Sequence, residues 1–141
     1  MLVNRRSLRV EWGDCDPAGI VFYPNYLIWF DASTTRLFER TGMSLPELYR
    51  KHGSIGMPLV EIGVKFFIPS RFGDELQVES GVIEWGRSSL TVQHRFLKHS
   101  ALALEGFEKR VWSVPHPDQP GRIKGAAVPQ EIVALLSAPD R

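Results

Sequence analysis

The chain has 141 residues, 43% of them apolar, and 17 Lys and Arg against 16 Asp and Glu give a formal net charge of +1. That length suits one domain, residues 1–141, burying about two-thirds of its unfolded surface around one core. No Lys/Arg run exceeds a pair such as Arg5-Arg6, so there is no electrostatic footprint for nucleic acid, and no segment approaches about 18 uninterrupted apolar residues, so no membrane-spanning helix is expected. One cysteine excludes an internal disulfide, and M-L-V-N-R-R-S lacks the apolar run of a signal peptide. The expected compartment is the reducing cytoplasm.

Residues 5–12 alternate, with Leu8, Val10 and Trp12 on one face and Arg9 and Glu11 on the other, which predicts a half-buried strand. An acidic turn follows, in which Pro17 restricts φ and Gly19 permits positive φ, presenting Asp14, Cys15 and Asp16 on a tight loop. Pro24 opens a helix over 24–41, with Tyr26, Trp29, Phe30, Ser33, Leu37 and Phe38 at helical spacing. Its first half is apolar all round, the pattern of a helix covered on most sides. The carboxylates of the loop therefore stand at the N-terminal end of a buried helix, where backbone N–H groups can hold a developing oxyanion.

Ser44-Leu45-Pro46-Glu47 is a capping-box pattern for a short helix reaching about Lys51 and stopped by Gly53. Alternation then predicts strands over Val60–Ile68, Leu76–Trp85 and Leu90–Phe96, joined by turns short enough for antiparallel neighbours. A further strand over 102–114 has no clear phase, because Phe107 and Val111 oppose Trp112 and Val114, and Pro129 opens a C-terminal helix. The order predicts an α+β fold, a long antiparallel sheet curved around one helix. One helix cannot cover both faces, so the outer face is either polar or covered by another subunit, and a homo-oligomer is expected.

Three stretches carry a resemblance: D-C-D-P-A-G-I-V-F-Y-P-N-Y-L over Asp14–Leu27, R-F-G-D-E-L over Arg71–Leu76, and E-W-G-R-S-S-L over Glu84–Leu90. Together they resemble the hot-dog-fold acyl-CoA thioesterases of the 4-hydroxybenzoyl-CoA thioesterase type. The resemblance implies a hot-dog fold, a dimer or tetramer with sites between protomers, an acyl-CoA substrate, and no cofactor or metal. It also implies that Asp16 is the catalytic carboxylate, as nucleophile or general base, and that the Tyr23 backbone N–H polarises the thioester carbonyl. Close relatives carry three basic residues after the Glu-Trp pair to hold coenzyme A phosphates. Here that run reads Gly86-Arg87-Ser88, so Arg87, with Ser88 beside it, is the expected phosphate ligand and the acyl group stays open.

Other residues have plainer readings. Asp14 caps its loop, and Cys15, between two carboxylates whose charge raises a thiol pKa, reads as a structural thiol. Glu61, opposite the apolar row of its strand, is a candidate for lining the groove between subunits. His52 reads as a helix-end residue, His94 as a packed strand residue, and Asp31 as a structural acceptor for the sheet or a partner. Two rival functions are a non-catalytic acyl-CoA-binding module and, from D-C-D, a magnesium-dependent aspartyl phosphatase, which needs a parallel α/β sheet.

Overall fold

The computed structural model describes residues 1–140. Five strands form one antiparallel sheet in the order β1-β3-β4-β5-β2, from β1 (Asn4–Arg9), β2 (Leu59–Phe66), β3 (Glu75–Trp85), β4 (Ser89–Lys98) and β5 (Ala101–Val111). Helix α1 (Pro24–Glu39) packs on its inner face, and α2 (Leu45–His52) and α3 (Gln130–Leu136) flank that helix and one end of the sheet. A small ribbon, β6 (Ser113–Pro115) with β7 (Ile123–Gly125), carries the chain to α3. This is the α+β arrangement expected of a hot-dog fold.

The alternation in β3 and β4 is realised as drawn: Leu76, Val78 and Val82 face inward beside Leu90, Val92, His94 and Phe96. Phe30 of α1 stacks on His94 at 4.6 Å between ring centroids, and a Cβ at Gly106 would stand 2.5 Å from the Phe30 ring. Glycine on β5 is therefore what lets helix and sheet approach there. The capping box forms reciprocally between Ser44 and Glu47, and Gly53 ends α2 in the left-handed region at φ 65°.

Three expectations are corrected. β1 stops at Arg9, and Trp12 sits 75% exposed in a single 3₁₀ turn, because Asp14 accepts from the Glu11 N–H and coils the chain there. The segment 102–114 divides into β5 and β6, and β5 turns Leu104, Gly106 and Glu108 inward and Glu105, Phe107 and Lys109 outward. Ile28, on the apolar half of α1, is 62% exposed in the protomer, so this turn is open on one side. The outer face of the sheet is mixed, with Glu79 bridging Arg5 and Arg95 (3.1 Å each) next to exposed Ile83.

Candidate active site

The acidic loop is built by short-range hydrogen bonds. Asp16 Oδ1 accepts from the Ala18 N–H at 2.8 Å, the Gly19 N–H donates to the Asp16 carbonyl, and Gly19 takes φ 79° to close the turn. The Asp16 N–H donates to the Ile20 carbonyl and the Phe22 N–H to the Asp14 carbonyl, both at 2.9 Å. These bonds zip the two sides of the loop together and deliver the chain to Tyr23, the residue before α1. Asp16 is half-buried, and Oδ2 has no protein hydrogen bond among the described residues.

At the start of α1 the free donors can be counted. Pro24 has no N–H, the Asn25 N–H donates to the Phe22 carbonyl, and the Tyr26 N–H donates to the Tyr23 carbonyl. That leaves the Tyr23 N–H without a protein acceptor among the described residues, at the positive end of a 16-residue helix dipole. A pocket of about 280 Å³ opens beside it, walled by Tyr23, Tyr26, Phe66 and Phe67. Asp16 and Tyr23 are thus brought together by one loop.

Arg87 and Ser88 lie elsewhere. They form the β3–β4 turn, closed by the Gly86 N–H donating to the Ser89 carbonyl at 2.7 Å, and the Val128 N–H donates to the Arg87 carbonyl. The acidic loop adjoins the opposite end of β3, where Val10 exchanges backbone hydrogen bonds with Gly73 and Asp74. The length of β3 (Glu75–Trp85) separates the two, about 33 Å at roughly 3.3 Å per residue. Glu61 is exposed on the edge strand β2, in register with Lys109. Within one protomer these residues do not converge with Asp16.

Asp14 caps the 3₁₀ turn, as expected, while Cys15 is half-buried rather than enclosed. His52 pairs with Glu131 of α3 at 2.7 Å. Asp31 accepts from Arg110 Nη2 at 2.8 Å, and Arg110 in turn reaches Glu108 Oε2 at 2.5 Å and the Met57 carbonyl at 3.0 Å. Glu108, 1% exposed, also accepts from Thr34 and from His94 Nε2 (2.9 Å), and Ser80 Oγ lies 2.7 Å from His94 Nδ1. A carboxylate only accepts, so His94 carries a proton on Nε2 and donates it to Glu108, while Nδ1 pairs with the Ser80 hydroxyl. Burial opposes the Glu108 charge, but the bonds from His94, Arg110 and Thr34 outweigh it and hold the carboxyl down at about 2. Burial also pushes His94 below its ordinary value. Sequence reading missed this network, whose one signal is Glu108 falling in phase with Leu104 and Gly106 on the inward face of β5.

Comparison with known proteins agrees with this architecture. The family model described as thioesterase-like superfamily matches residues 10–135. The 4-hydroxybenzoyl-CoA thioesterase of Pseudomonas sp. (strain CBS-3) is 30% identical over 135 residues, covering 92% of this chain and 94% of that protein. Its solved structure superposes with a TM-score of 0.86 at 29% identity, over 96% of this chain and 99% of that one. A gentisyl-coenzyme A thioesterase structure gives a TM-score of 0.80 at 30% identity, over 96% of this chain and 100% of that one. With a family model spanning nearly the whole sheet and helix and a relative aligned almost end to end, the chain belongs to the thioesterase-like superfamily, in its 4-hydroxybenzoyl-CoA thioesterase type.

Proposed function

We propose that this protein hydrolyses acyl-CoA thioesters to a free acid and coenzyme A. The observation that carries the reading is the Tyr23 N–H at the α1 terminus, without a protein acceptor among the described residues, on the same hydrogen-bonded loop as Asp16 and at a residue that lines a pocket. A thioester carbonyl accepting from that N–H gains stabilisation as its oxygen becomes an oxyanion. Asp16, with one oxygen free of protein donors, acts as nucleophile to give a mixed anhydride or as general base toward water. Either route expels the thiolate of coenzyme A, and water supplies the oxygen and protons of the products.

Arg87 takes a phosphate of coenzyme A, with Ser88 beside it, and Glu61 lines the groove between subunits. The separation of Arg87 from Asp16 along β3 supports a homo-oligomer, dimer or tetramer, in which the loop of one protomer works with the turn of another. The exposed Leu59, Val60 and Phe66 on edge strand β2 support the same reading, since an unpaired apolar edge seeks a partner. No helix among the described residues is long and apolar enough to cross a membrane, and we assign the protein to the cytoplasm. The antiparallel sheet lacks the parallel α/β frame that the phosphatase reading requires.

The test is a panel of acyl-CoA thioesters, short aliphatic, long aliphatic and aromatic, with free thiol followed in time. Turnover of at least one member is expected. Tight binding with no thiol release would instead make the protein a non-catalytic acyl-CoA-binding module.

A further inference from the structure

The R-F-G-D turn of Arg71–Asp74, after β2, holds a cation that the hydrolytic reading does not use. Residues 14–22 form a small hairpin, in which the Asp16 N–H donates to the Ile20 carbonyl and the Phe22 N–H to the Asp14 carbonyl. Residues 70–71 add a third segment to it, through the Val21 N–H donating to the Ser70 carbonyl and a bridge between Ile20 and Arg71. Asp16, Ile20 and Arg71 therefore fall in one row across three segments of chain. Cross-strand neighbours share a face, and Val21 (4% exposed) and Ser70 (0%) take the face toward the core. Asp16, Ile20 and Arg71 stand on the other, accessible face, where Ile20 is also a wall of the pocket beside Tyr23.

The backbone of Arg71 is fixed. Its N–H donates to Asp74 Oδ2 at 2.8 Å, its carbonyl accepts from the Asp74 N–H at 3.0 Å, and the bridge to Ile20 sets its register. The Asp74 carboxylate is itself occupied by Lys98, whose Nζ lies 2.6 Å from Oδ2. The Arg71 guanidinium, in contrast, has no hydrogen-bond acceptor and no ion-pair partner among the described residues. It leans back along the row: Arg71 Nη1 lies 3.7 Å from the point a Cβ on Gly19 would occupy, and Gly19, at φ 79°, carries none. Two strand spacings, about 10 Å, separate Arg71 from Asp16 at the backbone, and the leaning side chain brings its donors into that interval. A fixed backbone with an unpaired fork of donors is ready for an acceptor at little cost in ordering.

From this row we infer that Arg71 is a substrate-binding residue, whose guanidinium donates to an amide carbonyl of the pantetheine arm, the part of the thioester that departs with the sulfur. The inference rests on the hydrolytic reading and adds to it the group that holds the leaving arm. A thioester whose carbonyl accepts from the Tyr23 N–H and whose carbon faces Asp16 lays its arm over the accessible face of the hairpin, because the opposite face is packed into the core. The nearer amide of pantetheine stands only a few bonds beyond the sulfur, within reach of a guanidinium over Gly19, whereas the phosphates of coenzyme A lie much farther along. A guanidinium only donates and an amide carbonyl accepts, so the two groups match without a change of charge on either.

The test removes pieces of the leaving arm. One acyl group that the enzyme accepts is presented as its coenzyme A, pantetheine and ethyl thioester, of which the first two carry the pantetheine amides and the last carries none. Arg71→Met keeps the length of the side chain and removes its donors. It should lower kcat/KM by about ten- to a hundredfold with the first two, the span of one hydrogen bond to a charged group, and by less than about threefold with the ethyl thioester. Arg71→Lys should recover part of the loss. The side chain is exposed and unpaired, so the Tm of both variants should stay within about two degrees of wild type, and a larger drop would make Arg71 a structural residue and overturn the inference. An equal loss with the ethyl thioester would place the effect on the acidic loop itself, a loss confined to coenzyme A would place it on a phosphate, and unchanged rates with all three would leave a solvated arginine. Each of these overturns the inference. If no thioester is hydrolysed, the proposed function fails by itself. Calorimetric titration with pantetheine then decides the arm alone: binding at least tenfold weaker in Arg71→Met upholds the inference, and equal binding, or none by wild type, overturns it.

Discussion

His94 Nε2 donates to Glu108 Oε1 at 2.9 Å in the interior, with the Phe30 ring stacked on one face of the imidazole. Both groups have folded pKa values below their ordinary ones, His94 through burial and Glu108, at about 2, through its three donors. In each case the unfolded chain binds the proton more readily. Stability is therefore full above pH 6.5, falls as His94 of the unfolded chain takes up a proton below that, and falls again from about pH 4.5 toward 2 as Glu108 follows. Calorimetric Tm should drop between pH 7 and 5, and His94→Gln should flatten that part of the curve. An equal slope in both proteins would remove His94 as its source.

Removing the Glu108 charge strands a buried cation. Arg110 would keep Asp31 and the Met57 carbonyl but lose its shortest partner, and Thr34 and His94 would each lose the carboxylate acceptor. Glu108→Ala should cost about 3–5 kcal/mol in denaturant unfolding, the usual penalty for breaking a buried ion pair from one side. Asp31→Ala, on the exposed arm of the network, should cost about 1 kcal/mol or less.

Asp16→Asn keeps shape and removes charge. Turnover should fall by about two to four orders of magnitude, the span of a lost acid, base or nucleophile, with KM little changed. Asp14→Asn should cost far less, because an amide oxygen can still accept from the Glu11 N–H. Near-wild-type rates in the Asp16 variant, or an equal collapse in Cys15→Ala, would refute the mechanism. Single-turnover hydrolysis in oxygen-18 water distinguishes nucleophile from base by label in the Asp16 peptide.

For Arg87→Ala the expected signature is a raised KM with kcat nearly kept, since a phosphate contact is equal in ground and transition states. The Arg87 carbonyl still receives the Val128 N–H, so the turn survives the substitution. Pantetheine thioesters, which lack the nucleotide, should be indifferent, and an equal loss with them would refute the phosphate contact.

The oligomer has its own test. Sedimentation at micromolar concentration should show at least a dimer. Val60→Lys, at a bulged and 58% exposed position of β2, should shift the protein toward monomer and depress turnover with it. A clean wild-type monomer would contradict a site shared between protomers.

Much of the fold was legible because its determinants are local. Period-two alternation named β3 and β4, Pro24 and helical spacing named α1, the Ser44–Glu47 box and Gly53 bounded α2, and a Pro/Gly turn directly after two acids placed Asp16 on the loop that leads into α1. Trp12 misled because its alternating phase continues β1, while one hydrogen bond from the Glu11 N–H to the Asp14 carboxylate coils the chain instead. Tertiary structure alone decided the rest. Glu108 lies in a segment whose phase the sequence leaves open, and His94 reads as a packing residue, until the fold brings both to Thr34 of α1. Sequence determines which residues lie in phase on one element. Which element faces which, and so whether a polar atom meets a partner, a pocket or nothing, depends on contacts between residues tens of positions apart, and no local pattern encodes those.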